Sequence, residues 1–131
     1  MKHYYFLIIF FIAISMFSVN CKSQQDAGYS KVVQYSKNKT INFPDFDLEY
    51  TGETSKTSTF DNGNSFTFHY QNFTVSRGSE SKVVQWTSGT GDIGPIPFEF
   101  GSNKYTIELT YCEALKKKLD SDELVITKLS K

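Results

Sequence analysis

Hydrophobic and polar residues alternate with a period of two along much of this chain. The clearest run is Tyr105-Thr106-Ile107-Glu108-Leu109-Thr110-Tyr111, where Tyr105, Ile107, Leu109 and Tyr111 share one side and Thr106, Glu108 and Thr110 the other. The pattern recurs in Phe46-Asp47-Leu48-Glu49-Tyr50 and in Phe66-Thr67-Phe68-His69-Tyr70. It predicts antiparallel strands with one buried and one solvated face, the aromatic side inward. Between Phe60 and Phe66 stands Asp61-Asn62-Gly63-Asn64. Its Asn-Gly pair predicts a tight hairpin, because both central residues tolerate positive φ.

Further β-type runs cover Ser30 to Ser36, Asn72 to Ser76, Lys82 to Thr87, Ile96 to Phe100 and Leu124 to Lys128, giving about eight strands in all. An open sheet of that size would leave an apolar face and two edges bare, so the chain is expected to be mainly β, a single antiparallel β-sandwich or partly closed barrel. At most one short helix is allowed for, near 113–119, where Leu115 and Leu119 lie four apart and Lys116, Lys117 and Lys118 would oppose the dipole favourably. Composition agrees. Beyond position 20 only Ala27 and Ala114 are alanine while 15 residues are aromatic, poor material for helices and good material for a small core. The phenylalanines fill that core in the simpler reading and line a ligand cavity in the alternative.

The first 21 residues break the pattern. Lys2 and His3 precede an apolar run from Tyr4 to Phe17, followed by Ser18-Val19-Asn20-Cys21. Fourteen helical residues reach about 21 Å, short of a hydrocarbon core of about 30 Å. The layout is that of a secretory signal peptide over 1–20. With its cysteine, it resembles the signal peptides of bacterial lipoproteins. That resemblance implies acylation of Cys21 as the new first residue, attachment to a membrane through the N-terminal lipid, and a place in the bacterial cell envelope. Lys22 after the cysteine is compatible in that family with transfer to the outer membrane. Residues 21–28 then read as lipidated cysteine plus a flexible polar tether, and 29–131 as a single β domain. An ordinary secretory peptide is the alternative. It predicts a secreted or periplasmic soluble product with Cys21 free or bridged to Cys112, the other of the two cysteines.

Charge and motif content exclude several functions. Fourteen basic residues balance 14 acidic ones, so no nucleic-acid partner is expected. Once the leader is gone His69 is the one histidine left, and it alternates with Phe68 and Tyr70 as a solvent-facing strand residue. One histidine and at most two cysteines make neither a zinc site nor a nucleophile with its base, so no metal, cofactor or enzyme activity is expected. A carboxylate-dependent hydrolase would need two of Asp92, Glu99 and Glu108 within about 5–10 Å across a cleft.

The remaining candidate is the glycine-rich segment after the strand that carries the chain's one tryptophan: Trp86, Ser88, Gly89, Thr90, Gly91, Asp92 and Gly94. Glycines let backbone amides approach a ligand closely, although the segment lacks the Gly-Lys-Ser/Thr ending of a phosphate loop. A wide turn stiffened by Pro95 and Pro97 is the simpler account. Taken together, the sequence predicts an anchored, non-catalytic β domain that binds an envelope protein or glycan through loops or a sheet edge. A small-ligand β-barrel and the hydrolase are the alternatives.

Overall fold

The computed structural model describes residues 22–88 and 94–130. The expected signal peptide, Cys21 and positions 89–92 of the glycine loop lie outside the described residues. Eleven strands form among those described: β1 (Ser23–Asp26), β2 (Val32–Gln34), β3 (Lys39–Asn42), β4 (Asp47–Thr59), β5 (Ser65–Arg77), β6 (Glu80–Ser88), β7 (Ile96–Phe100), β8 (Asn103–Glu108), β9 (Tyr111–Cys112), β10 (Lys117–Lys118) and β11 (Glu123–Lys128). The first sheet has the order β1-β3-β4-β5-β6 and the second β2-β11-β8-β7, and neither closes on itself. Pairing is antiparallel except between β1 and β3.

The expected alternation builds the core. Leu48, Phe73, Val75, Val84 and Trp86 of the first sheet meet Val33, Phe98, Phe100, Tyr105, Ile107, Leu124 and Ile126 of the second in one apolar cluster, which makes the protein a mainly β sandwich. Phe46, fully buried in the link between β3 and β4, is its hub. Its ring lies 5.0–6.3 Å from those of Tyr29, Phe43, Phe98, Phe100 and Tyr105, mostly tilted or edge-on. Next to it Asp45 accepts hydrogen bonds from the Tyr29 hydroxyl (2.7 Å), the Tyr105 hydroxyl (2.9 Å) and Lys128 Nζ (2.7 Å). One carboxylate thus joins the segment before β2, the second sheet and the end of β11.

Four local expectations are corrected. Residues 23–26, expected to be part of a flexible tether, run as edge strand β1, with Ser23 opposite Lys39 and Asp26 opposite Asn42. The helix candidate at 113–119 is a turn leading into β10, which pairs with β9 as a small flap. Two leucines in two turns cannot nucleate a helix by themselves. Leu119 packs instead with Cys112 and Val125 in a second small cluster, while Leu115 stays 42% exposed. That flap also buries Glu108, expected on the wet side of its strand. Finally, the alternation from Tyr105 stops at Leu109. Thr110 has a φ of 69°, and the Tyr111 N–H donates to the Leu109 carbonyl two residues back, so Tyr111 is swung out to 46% exposure.

The two sheets differ in length. Strands β4 and β5 have 13 residues each, against six for β8 and β11, so the distal half of the β4–β5 hairpin projects past the second sheet as an arm. A bulge between Tyr50 and Gly52 marks its root, with Gly52 at a φ of 125° that other residues rarely adopt. At the tip the Gly63 N–H donates to the Phe60 carbonyl, and Gly63, with a φ of 82°, takes the left-handed position. Thr59 pairs with Ser65, leaving a five-residue loop instead of a two-residue Asn-Gly turn. The aromatic face of the arm is not inward as expected. Tyr70 and Phe68 pair with Thr54 and Lys56 on the side away from the core, and Phe60 and Phe66 are 51% and 42% exposed.

Hydrogen bonds from Lys128, Tyr29 and Tyr105 hold the Asp45 carboxyl down to about 2 from its ordinary 3.8. The folded value lies below the unfolded one, so this stabilisation is complete above about pH 4 and lost as the pH falls towards 2. Asp45→Asn should therefore lower stability by about 1–2 kcal/mol at pH 7, allowing for screening at a partly exposed carboxylate, and flatten the acid limb of the stability curve. Urea denaturation at pH 7, 4 and 2.5 measures both effects.

Candidate functional site

Where the second sheet ends, the sandwich opens into a notch of about 260 Å³ lined by Tyr35, Gln71, Trp86, Ser88, Leu109, Thr110, Asp120, Ser121 and Glu123. Its first wall follows from register. Trp86 on β6 lies opposite Gln71 on β5, and Ser88 opposite His69, so all four side chains share the core-facing side of the first sheet. Trp86 is only 3% exposed, and among the described residues its indole N–H finds no acceptor. A buried donor in that state costs about 1–3 kcal/mol.

The opposite wall is held by Tyr35. Its N–H donates to the Asp122 carbonyl at 2.8 Å and its hydroxyl to the Ser121 carbonyl at 3.0 Å, which pins the turn before β11 against the core. Burial pushes the Tyr35 hydroxyl up to about 12, so it remains a neutral donor. Glu123 closes the same turn by accepting from the Asp120 N–H at 3.0 Å, a bond that holds its carboxyl below the usual range. Thr110, the β-branched residue with positive φ, completes this wall. Strain at such a position persists only where the surroundings enforce it, and here the Leu119 N–H bonds the Thr110 carbonyl at 2.8 Å.

From the notch the core-facing side of the first sheet continues along the arm, but its residues change character. Opposed pairs here are Glu53 with Gln71, Ser55 with His69, Thr57 with Thr67 and Thr59 with Ser65. Cross-strand hydrogen bonds order this surface: Thr57 to Thr67 at 2.9 Å, Thr59 to Ser65 at 3.0 Å, and Tyr50 to Gln71 at 2.6 Å. Glu53 accepts from Gln71 Nε2 at 2.8 Å and lies 2.9 Å from His69 Nδ1; the His69 contact, then Gln71, lowers its carboxyl from the ordinary value. The result is a polar platform leading to an aromatic recess.

Of the sequence candidates, Trp86 and Ser88 line the notch. Gly94 is half-buried just before β7 and does not appear among the lining residues. Gly89, Thr90, Gly91 and Asp92 lie outside the described residues, as does Cys21. The sequence reading did not single out Tyr35, Gln71, Thr110, Asp120, Ser121 or Glu123, which come from four separate segments; the positive φ of Thr110 leaves no trace in sequence. His69 is exposed as expected, but it lies on the core-facing side of the first sheet, uncovered there because the second sheet ends.

The other candidates gather no site. Glu99 pairs with Lys104 across the β7–β8 hairpin, and Glu108 lies four residues further along β8, about 13 Å away. Glu108 is also occupied, accepting from Cys112 Sγ at 3.3 Å and the Glu113 N–H at 3.0 Å. Cys112 is fully buried and unbridged among the described residues, and burial pushes its ionisation upward. A second concavity of about 370 Å³ lies between β6 and β7, bounded in part by Lys82, Glu99 and Lys104. Its charges already engage one another: Lys104 lies 3.5 Å from the Glu99 carboxylate and Lys82 bonds the Glu99 carbonyl at 3.2 Å. Among the described residues no group of three His, Cys, Asp or Glu side chains is placed to hold a metal.

Comparisons with protein-family models, with curated proteins and with solved structures find no match to this chain.

With its indole N–H unpaired among the described residues, Trp86→Phe should change stability by less than about 1 kcal/mol, because the lost contacts are offset by removal of an unmet donor, whereas Trp86→Ala should cost about 3–5 kcal/mol. Equilibrium denaturation of the two variants separates these values. A loss above about 3 kcal/mol for the phenylalanine variant would mean that the N–H is bonded.

Proposed function

We propose that this is a lipid-anchored bacterial envelope protein whose β domain binds another envelope macromolecule without catalysing a reaction. The anchor follows from the signal-peptide layout and Cys21. The binding surface is the platform on the inner side of the β4–β5 arm together with the Trp86 notch.

One observation carries this reading. Core-facing positions of the first sheet stay at the surface where the second sheet ends, and there they are Glu53, Ser55, Thr57, Thr67 and His69 in place of apolar residues. Such a surface needs no cover to be stable, and it offers hydroxyl, carboxylate and amide groups over a length of about 20 Å, counted from Glu53 to Thr59. An extended polar segment of a protein or glycan can lie along it and end against Trp86 and Tyr35, whose rings supply the apolar end of the site. Affinity then comes from many modest hydrogen bonds and one desolvated recess.

Two measurements test the reading. Intact mass of the membrane-extracted protein should show a chain beginning at Cys21 and carrying acyl groups; an unmodified residue 21, or retention of residues 1–20, removes the anchor. Capture of partners from native envelopes should fall at least about tenfold for Ser55→Lys, whose side chain is exposed in the middle of the platform and makes no hydrogen bond among the described residues. Undiminished capture removes the platform as the binding surface.

A further inference from the structure

The outward side of the arm is as apolar as its inner side is polar. Along β5 the outward residues are Phe66, Phe68 and Tyr70, opposite Ser58, Lys56 and Thr54 of β4. Phe60 joins them at the tip, its ring 5.4 Å from that of Phe66 and edge-on to it. Phe60 and Phe66 are 51% and 42% exposed. The arm is therefore an amphipathic two-stranded ribbon, with an aromatic row on one side and a hydroxyl-rich ladder on the other. Exposed paired phenylalanines at the end of a projecting hairpin have no role in the sandwich core, since neither packs against it.

Register fixes where this ribbon points. β1 runs parallel to β3, with Asp26 opposite Asn42 and Ser23 opposite Lys39. β3 runs antiparallel to β4, with Asn42 opposite Asp47 and Thr40 opposite Glu49. Going backwards along β1 from Asp26 to Ser23 thus runs in the direction in which β4 leaves the body for the arm tip. Lys22 confirms the level, its Nζ lying 2.7 Å from the Glu49 carboxylate at the root of the arm. The described chain therefore begins at the arm's own end of the molecule, and in sequence one residue, Lys22, separates Cys21 from β1. From Tyr50 to Phe60 the arm reaches roughly 30 Å beyond that point. If Cys21 is held at a lipid surface, the arm cannot stay clear of it. It cannot cross the surface either, because the Glu53–His69 pair would lose its water in hydrocarbon and the backbone groups on the open β4 edge beyond Glu49 would be left unsatisfied.

We propose that the arm lies along the bilayer surface, with Phe60, Phe66, Phe68 and Tyr70 set into the acyl boundary, Lys56 reaching up to the headgroups and the polar platform facing water. This inference rests on the anchored reading above, and it gives the binding platform a fixed orientation away from the membrane. Aromatic side chains suit this boundary, and a second contact turns anchoring at one point into a defined pose.

The test uses the full mature protein on phosphatidylethanolamine–phosphatidylglycerol vesicles whose acyl chains are brominated midway. Trp86 is buried, so wild-type emission should be almost unquenched, whereas Phe66→Trp should lose about half its added emission or more to the brominated lipid. Phe60→Ser with Phe66→Ser, at two exposed positions outside the core, should leave the cooperative unfolding of the sandwich core unchanged and speed release from vesicles at least about tenfold. Vesicle-bound Phe66→Trp with unquenched added emission, or a double variant released no faster than wild type, overturns the arm contact while the anchor stands. Wild type that fails to sediment with vesicles and shows an unmodified Cys21 overturns the anchor, and the arm contact with it.

Discussion

Two sheets of unequal length share a single apolar core, and most of the architecture follows from where that core ends. The second sheet can cover only as much of β4 and β5 as its own strands span. Within that span the inward positions are Leu48, Phe73, Val75 and Val84, and the second sheet answers with Tyr105, Ile107, Leu124 and Ile126. Beyond it the inward positions turn polar. An apolar residue there would add exposed area with nothing to pack against, at roughly 25 cal/mol for each Å² left in water. The change of character between Phe73 and Gln71 is thus a boundary written into the sequence, and the notch lies on it.

The same boundary explains how a small domain holds together without a disulfide among its described residues. Phe46 places one ring among five others, and the neighbouring Asp45 draws Tyr29, Tyr105 and Lys128 onto one carboxylate. Aromatic packing supplies the bulk of the burial, and the charged hydrogen bonds fix which rings meet. This cluster sits at the end of the core opposite the notch, so the rigid and the open ends of the sandwich are separated along the strands. A site at the open end can have a Trp86 N–H without an acceptor among the described residues and a strained Thr110 because the stabilising contacts are elsewhere.

Period-two alternation identified the β class and most strands, because wherever one face is buried the pattern and the burial coincide: Tyr105, Ile107 and Leu109 are buried as expected. It misled in Phe66-Thr67-Phe68-His69-Tyr70, where the alternation is real but the aromatic side faces out. Alternation reports that two faces differ; it does not report which one is covered, and that depends on how far a distant sheet extends. Residues 23–26 show the converse limit. Ser-Gln-Gln-Asp has no apolar pattern, so its place as an edge strand rests on backbone pairing with β3, which the side chains do not encode. For the candidate site, the lone tryptophan beside a glycine-rich segment led to Trp86 and Ser88, which line the notch. Its opposite wall could not be read, since Tyr35, Thr110 and Ser121 come together through the pairing of β2 and β8 with β11.

These limits bear on how the two sides of the arm should be understood. A two-stranded ribbon is marginal by itself, and this one has an open β4 edge from Tyr50 onwards, where β3 no longer pairs with it. Cross-strand hydroxyl pairs on one side and the Phe60–Phe66 contact on the other give it local order without a core. Either side alone would be explained by that need: hydroxyls keep an uncovered face soluble, and aromatic pairs stiffen a hairpin. Stiffening, however, requires one aromatic pair across the strands, and β5 carries a row of three on the same side, opposite Thr54, Lys56 and Ser58. A row along one strand stabilises the hairpin little, since cross-strand neighbours contribute most of the pairing energy. Such a row leaves a continuous apolar strip that the domain itself does not cover, and the direction of β1 with Lys22 puts the N-terminal end of the described chain next to it.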